Sequence, residues 1–371
     1  MRENPSPPFR VEHVGSFPRP GAVTDAAHQA RAGELSRERF REIQDEAIRG
    51  IVGFQEELGL RSITDGEYRR RVWSGGFIDA VPAFGERDGA LSTFRTASGE
   101  ILSAPAPYAR ERLQRTRGIA TDEFAFLKSV VRAGTPKITM PSPPVMHFFL
   151  GPRAVDEAVY PDMELFFDDL ARVYREEIAE LAELGCTYLQ LDDTALPCNC
   201  DERLRAAVRE RGEDPDRLTE RYARLINSAI ASRPAGMTVA MHLCRGNARG
   251  AWMAEGGYEP IANTLFNAID VDAYFLEYDT PRAGDFGPLR FVPANTKVVL
   301  GLVSTKTPVL ESADELLRRV DQAAGYVPIE RLCLSPQCGF SSVGGAKQVI
   351  TLDDARRKIE LMQRVAAQAF G

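Results

Sequence analysis

His242-Leu243-Cys244 closes an apolar run, MTVAMHLC, and Cys338 stands in SPQCGF. Residues two apart on a β-strand point to the same side. His242 and Cys244 can therefore present an imidazole and a thiolate to one ion, and these ligand types suit zinc. Cys338, between Pro336 and Gly339 at a strand end, offers a second thiolate. The chain has only 4 histidines, which makes this placement of one of them more telling. For a fourth ligand the sequence offers Glu277, set among Tyr274, Phe275, Leu276 and Tyr278. A carboxylate is costly to bury there unless it is paired or bound to a metal. Asp279, two residues on, is the alternative ligand. The plain structural reading of Glu277 is a water-facing strand-end acid or a partner for Arg282. The chemistry these groups suggest is activation of a thiol.

Further polar groups fall where a substrate would need them. Asp192 and Asp193 end LQLDD, and adjacent strand residues point oppositely, so at most one faces inward. Glu67 ends ITDGEY with Asp65 on its own side. Two carboxylates from different strands, Glu67 and Asp192, could hold an ammonium group by charge-assisted hydrogen bonds; capping of a following helix is the structural alternative for a strand-end Asp. Gly15-Ser16 offers backbone N–H groups and a hydroxyl to a small anion such as a carboxylate, or is a simple turn. Cys198-Asn199-Cys200 reads as loop, and Cys186 and Cys333 as small core residues. Gly344-Gly345 with Lys347 lacks a completed phosphate-loop signature. His13, His28 and His147 have no metal-ligand partners in sequence and read as structural or substrate-contacting.

Short β-branched runs alternate with amphipathic segments, the pattern of βα units around a parallel sheet. Strands are predicted at 11–17, 61–68, 137–143, 187–193, 237–244, 272–279, 297–305 and 331–338, and the clearest helices at 37–57, 162–184, 215–230, 313–324 and 352–369. The expectation is an α/β fold, a (β/α)8 TIM barrel, with residues 1–371 as one domain and an inserted hairpin or lid at about 80–113 after the second strand. Ser16, Glu67, Asp192, Cys244, Glu277 and Cys338 all fall at the C-terminal ends of strands. Barrel active sites are built at that face.

Composition narrows the class. A net charge of −7 argues against a general nucleic-acid binder. No apolar stretch approaches the ~20 residues that span a bilayer, and the start, MRENPSPPFR, lacks the apolar core of a secretory signal. With 6 cysteines in 371 residues the chain is no disulfide scaffold, so a reducing cytoplasm is expected.

Taken in order, VGSFPRP, ITDGEY, YLQLDD, MHLCRGN, FLEYD and SPQCGF make the chain resemble the catalytic barrel of cobalamin-independent methionine synthase. The closer likeness is to the short, single-barrel members of that superfamily, which also includes epoxyalkane:coenzyme M transferase. The resemblance implies Zn2+ held by His242, Cys244, Glu277 and Cys338. It implies that Gly15 and Ser16 contact the carboxylate of homocysteine, and that Glu67 and Asp192 bind its amino group. The implied reaction is zinc-dependent methyl transfer to a small thiol, homocysteine giving methionine; Glu277 and Asp192 are expected to take part in catalysis, Glu277 as a ligand that yields to the incoming sulfur, since zinc tolerates a changed coordination number. The partners are thus a homocysteine-like thiol and a methyl donor.

Departures fall mainly on the donor side. The length leaves no room for the N-terminal barrel that helps the long enzyme hold its folate. Asp193 stands where the long enzyme has Glu, and Arg19-Pro20 where it has Gln-Thr. PSPPVMHFF lacks the tryptophan-containing segment associated with the folate. The rival readings are alkyl transfer to another thiol such as coenzyme M, a decarboxylase of the uroporphyrinogen type, and a non-catalytic zinc store. Two carboxylates opposite the thiol site favour an amino-acid thiol over a sulfonate, and the ligand set argues against a metal-free decarboxylase.

Overall fold

A computed structural model describes residues 6–96, 98–341 and 348–371 of the chain. Its centre is a six-stranded parallel sheet in which each strand pairs with the next in sequence. The strands are β5 (Ile138–Pro141), β6 (Tyr188–Asp193), β7 (Thr238–Leu243), β8 (Ala273–Glu277), β9 (Lys297–Val303) and β10 (Leu332–Pro336). A short pair, β1 (Ser62–Ile63) with β4 (Thr135–Pro136), runs parallel beside them. The segment expected as the first strand forms no ladder. It makes single parallel bridges, Val11 to Leu334 of β10 and Ser16 to Gly66 just past β1.

The departures from the predicted strands have local causes. The second strand stops short because the backbone turns at Gly66 and Glu67, both with positive φ (68° and 61°). The third forms as β5 inside its predicted range, and Lys137 just before it sends its side chain into a buried polar cluster. In β6 and β8 every residue is buried, as expected for parallel strands covered on both faces. The two faces nonetheless differ. Tyr188, Ala240, Ala273, Phe275, Val299 and Cys333 form a small separate core, and they occupy alternate positions on their strands, so one face of the sheet encloses this layer while the other packs on helices.

The helices begin where capping chemistry allows. Ser36 caps Arg37–Glu57, Asp162 caps Met163–Glu183, and Asp214 caps Pro215–Ile230 with proline at its first position. Thr351 and Asp354 form a reciprocal capping box at Leu352–Ala369. No helix among the described residues is long and apolar enough to cross a membrane. The inserted stretch is an antiparallel hairpin, β2 (Phe84–Arg95) with β3 (Ile101–Ala109). Its first strand ends against the loop after β7, where Arg95 and Trp252 exchange backbone hydrogen bonds of 2.7 and 3.0 Å.

Below the small inner core lies a fully buried ion pair. Lys137 Nζ lies 3.3 Å from Glu12 Oε2 and 3.2 Å from Gln190 Oε1, and it also donates to the His13 carbonyl. Glu12 accepts further from Ser62 and Tyr188 hydroxyls at 2.7 and 3.1 Å. Removing one partner of such a pair leaves a buried charge uncompensated, at a cost of about 3–5 kcal/mol. Lys137→Met is therefore expected to lower the urea midpoint by the equivalent of that loss, and the Glu12→Gln/Lys137→Met double variant to recover much of it.

Candidate metal and thiol site

β7 delivers His242 and, one residue past its end, Cys244, while β10 runs into the turn carrying Cys338. A register shift between Ser335 and Pro336 redirects the chain at that point. One ring nitrogen of His242 and the sulfurs of Cys244 and Cys338 all lie within 4.8 Å of one another. The two sulfurs are 3.9 Å apart. Two sulfurs each about 2.3 Å from one zinc at a tetrahedral angle would be about 3.8 Å apart, so the donor set fits that ion in kind and in spacing. His242 and Cys244 are buried, whereas Cys338 is partly exposed.

His242 is oriented from behind. Its Nδ1 lies 3.0 Å from Asp192 Oδ1, and its Nε2 lies 3.2 Å from the carbonyl of Gln337. Asp192 and His242 are register partners on β6 and β7. By accepting from Nδ1–H the carboxylate fixes the tautomer in which Nε2 carries the lone pair a metal needs, the usual second partner of a metal-bound histidine. Burial opposes an imidazolium here, but the Cys244 thiolate and Asp192 outweigh it and raise the His242 pKa. The Cys244 thiol is held up in turn, first by its contact with Cys338 and then by burial. Two thiolates facing each other without a cation between them are unfavourable.

Glu277 is not in this cluster. It follows Leu276, the register partner of Leu243, so it reaches the same level as Cys244, yet its carboxylate is engaged elsewhere. Oε2 accepts from the backbone N–H of Arg245 at 2.5 Å, and Oε1 contacts Lys306 Nζ at 3.1 Å and the Arg282 guanidinium. Burial would raise its pKa, but Lys306, Arg282 and Arg245 override it and push it well below the usual carboxylate range. Asp279 shares the same cations, 3.1 Å from Lys306 and 3.8 Å from Arg282. The apolar neighbours of Glu277 signalled burial. They gave no sign of the three cations, which come from three separate loops, after β7, β8 and β9.

The groups expected to hold a substrate gather beside the cluster. Ser16 Oγ donates to the Ser341 carbonyl at 2.9 Å, which ties the first segment to the loop after Cys338. Gly339 permits this approach, because a Cβ there would lie 1.9 Å from Ser16 Oγ. Gly15, at φ +148°, lets the chain pass Glu67, whose Oε1 would be 3.1 Å from an added Cβ. Glu67 itself adopts φ 61°, uncommon outside glycine and a form of strain found at functional positions. Its side chain accepts from Thr139 Oγ1 at 3.1 Å, with Arg70 3.8 Å away. Burial, and the charges of Asp192 and Asp65, raise its pKa to about 7 against the opposing pull of Arg70 and Arg19.

The remaining polar motifs serve the framework. Asp193 caps a turn through Leu196 N–H at 2.7 Å. His13 contacts the Ser62 carbonyl and His147 the Tyr222 hydroxyl, and burial lowers both pKa values to about 3. His28 lies on the surface against Arg31. Cys198 closes a one-turn helix, Ala195–Cys198, rather than lying in a loop, Cys200 follows in the turn after it, and both are buried. Gly344, Gly345 and Lys347 lie outside the described residues.

The family follows from sequence comparison. Residues 9–368 match the model of the catalytic domain of cobalamin-independent synthase. The chain belongs to the cobalamin-independent methionine synthase family. It is 40% identical over 341 residues to the uncharacterized protein YxjH of Bacillus subtilis, covering 90% of this chain and 88% of that one. It is 24% identical to the methionine synthase of Pyrococcus abyssi, over 88% and 85% of the two chains. A solved structure from Listeria monocytogenes, described as a candidate vitamin-B12-independent methionine synthase, superposes with a TM-score of 0.76 at 31% identity, over 99% of this chain and 100% of that one.

Proposed function

We propose that the chain is a zinc-dependent thiol methyltransferase that moves a methyl group to homocysteine to give methionine. We further propose that its strands close into a single (β/α)8 barrel spanning residues 1–371, and that it works in the cytoplasm. The observation that carries the functional reading is the convergence of His242, Cys244 and Cys338 within 4.8 Å. Family membership supports it, since it brings methyl transfer to homocysteine as the general chemistry.

In this reading His242, Cys244 and Cys338 would hold zinc, with Glu277 as the fourth ligand. Zinc, when bound, lowers the pKa of an acceptor thiol so that a thiolate is present near neutral pH. Asp192 keeps the His242 ring aimed. Glu67 and Asp192 receive the substrate ammonium, and Gly15 and Ser16 its carboxylate, which places the side-chain sulfur toward the two cysteines. The sulfur then takes the methyl carbon with its own electron pair, and the donor leaves with the pair of the broken bond. Fixing both substrates in line removes much of the entropic barrier.

The direct test is to incubate zinc-loaded protein with homocysteine and, in turn, a methylated folate, a methylcorrinoid and a small sulfonium compound, and to follow methionine by mass spectrometry. Formation with one donor, lost on chelation and restored by zinc, is the expected result. Turnover of coenzyme M but not homocysteine would overturn it.

Glu67 gives the reading a pH signature. With its pKa near 7, Glu67 is largely protonated at pH 6, and an arriving ammonium favours its charged form. Binding of methionine, which has no titrating thiol, should therefore release a proton at pH 6 and almost none at pH 8.5. Affinity should rise through pH 7 and then level. Calorimetry in buffers of different ionisation enthalpy would show this, and Glu67→Gln should remove both effects.

A further inference from the structure

Glu277 shares its level with Cys244 but is held away from the cysteines. One oxygen rests on the N–H of the residue next to Cys244, and the other on Lys306 and Arg282. The cation pair does not depend on Glu277 alone. Lys306 Nζ lies 3.1 Å from Asp279 as well as 3.1 Å from Glu277, and Arg282 lies 3.8 Å from Asp279. If the Glu277 carboxylate swung to the metal, both cations would keep a carboxylate partner, so neither would be left buried without a counter-charge. Arg282 is further seated over the ring of Trp252, 5.2 Å from its centroid.

We propose that Lys306 and Arg282, steadied by Asp279, form a resting pocket for the Glu277 carboxylate, so that Lys306 is a positioning residue setting how readily Glu277 gives up its place to the substrate thiol. The proposal rests on the thiol methyltransferase reading, and deepens it by naming what receives the displaced ligand. A carboxylate competed for by two sites binds each more weakly by the fraction of time it spends at the other. The pocket therefore weakens the resting metal site and eases thiol entry.

The sign of this effect sets it apart from a structural role. Lys306→Met should bind zinc more tightly than the wild type, by about tenfold, the lower end of what outer partners of metal ligands usually contribute. It should also need more homocysteine to bring about the change in the visible absorption of the cobalt(II)-substituted protein. Lys306→Arg should restore both values, and in a Glu277→Gln background Lys306→Met should change neither. Zinc affinity is read by competition with a chromophoric chelator. If Lys306→Met does not fold, Lys306→Gln, which removes the charge but keeps a donor, carries the same test.

Unchanged or weaker zinc binding by the folded Lys306 variant would overturn the pocket while leaving the metal site standing. The same tightening in the Glu277→Gln background would also overturn it. A wild type that binds no zinc would overturn the methyltransferase reading, and the pocket with it.

Discussion

Cys244→Ser is expected to leave the chain folded and to strip it of zinc. Serine keeps nearly the shape of cysteine, so the buried position survives, but its hydroxyl does not ionise near neutral pH and is a poor partner for a soft-to-borderline ion. Losing a direct ligand should cost more than the roughly 10–100-fold in affinity that losing a supporting partner costs. The metal content should fall from about one ion per chain, as in mononuclear zinc sites, to near none after dialysis, and methyl transfer should fall with it. Cys338→Ser should behave alike. Cys186→Ser, a buried thiol outside the cluster, should keep its zinc. Elemental analysis of the three variants decides the matter. Stoichiometric zinc in Cys244→Ser at wild-type affinity would mean that the ion sits elsewhere.

The second large effect is expected at Asp192, because one carboxylate serves two tasks. Its Oδ1 holds His242 Nδ1 at 3.0 Å and accepts from Gln190 at 2.7 Å, and in the proposed complex the group also meets the substrate ammonium. Asp192→Ala should weaken zinc roughly 10–100-fold through the histidine. It should also forfeit a charge-assisted contact worth about 1.5–3 kcal/mol. Together these should lower kcat/KM by roughly 10²–10⁴-fold. Asp192→Asn separates the tasks. Its amide oxygen still accepts from His242, so zinc binding should stay near wild type while KM for homocysteine rises. Glu67→Gln should likewise raise KM without touching zinc affinity. Chelator competition and steady-state kinetics on the three variants supply the test. Equal zinc affinity in Asp192→Ala and the wild type would remove Asp192 from the metal's support.

Some of this was legible in the residues and some was not, for physical reasons. The pairing of His242 with Cys244 follows from strand periodicity alone, and the strand-end position of Cys338 follows from its proline and glycine neighbours. The five strands from β6 to β10 lie inside their predicted ranges, since long buried runs declare themselves. The first strand does not form a ladder, because its pairing is confined to Val11 and Ser16, and nothing local to VEHVGSF signals that. The surroundings of Glu277 are legible only in part: the sequence offers Arg282 as its partner and it is one, but Lys306 and Arg245 are hidden for a related reason. Arg245 is next to Cys244 in sequence, but Lys306 and Arg282 arrive from loops after β9 and β8, and only the folded chain brings their charges onto one carboxylate. Gln337, whose carbonyl faces His242, acts through its backbone, and a backbone contact leaves no mark in residue type.

Zinc K-edge X-ray absorption on the wild-type protein, with and without homocysteine, tests the central claim most directly. The expected resting site has two sulfurs at about 2.3 Å together with nitrogen or oxygen ligands, and a third sulfur should replace a lighter ligand when homocysteine is added. A protein that takes up no zinc, or one whose sulfur count stays at two in saturating homocysteine, would contradict it.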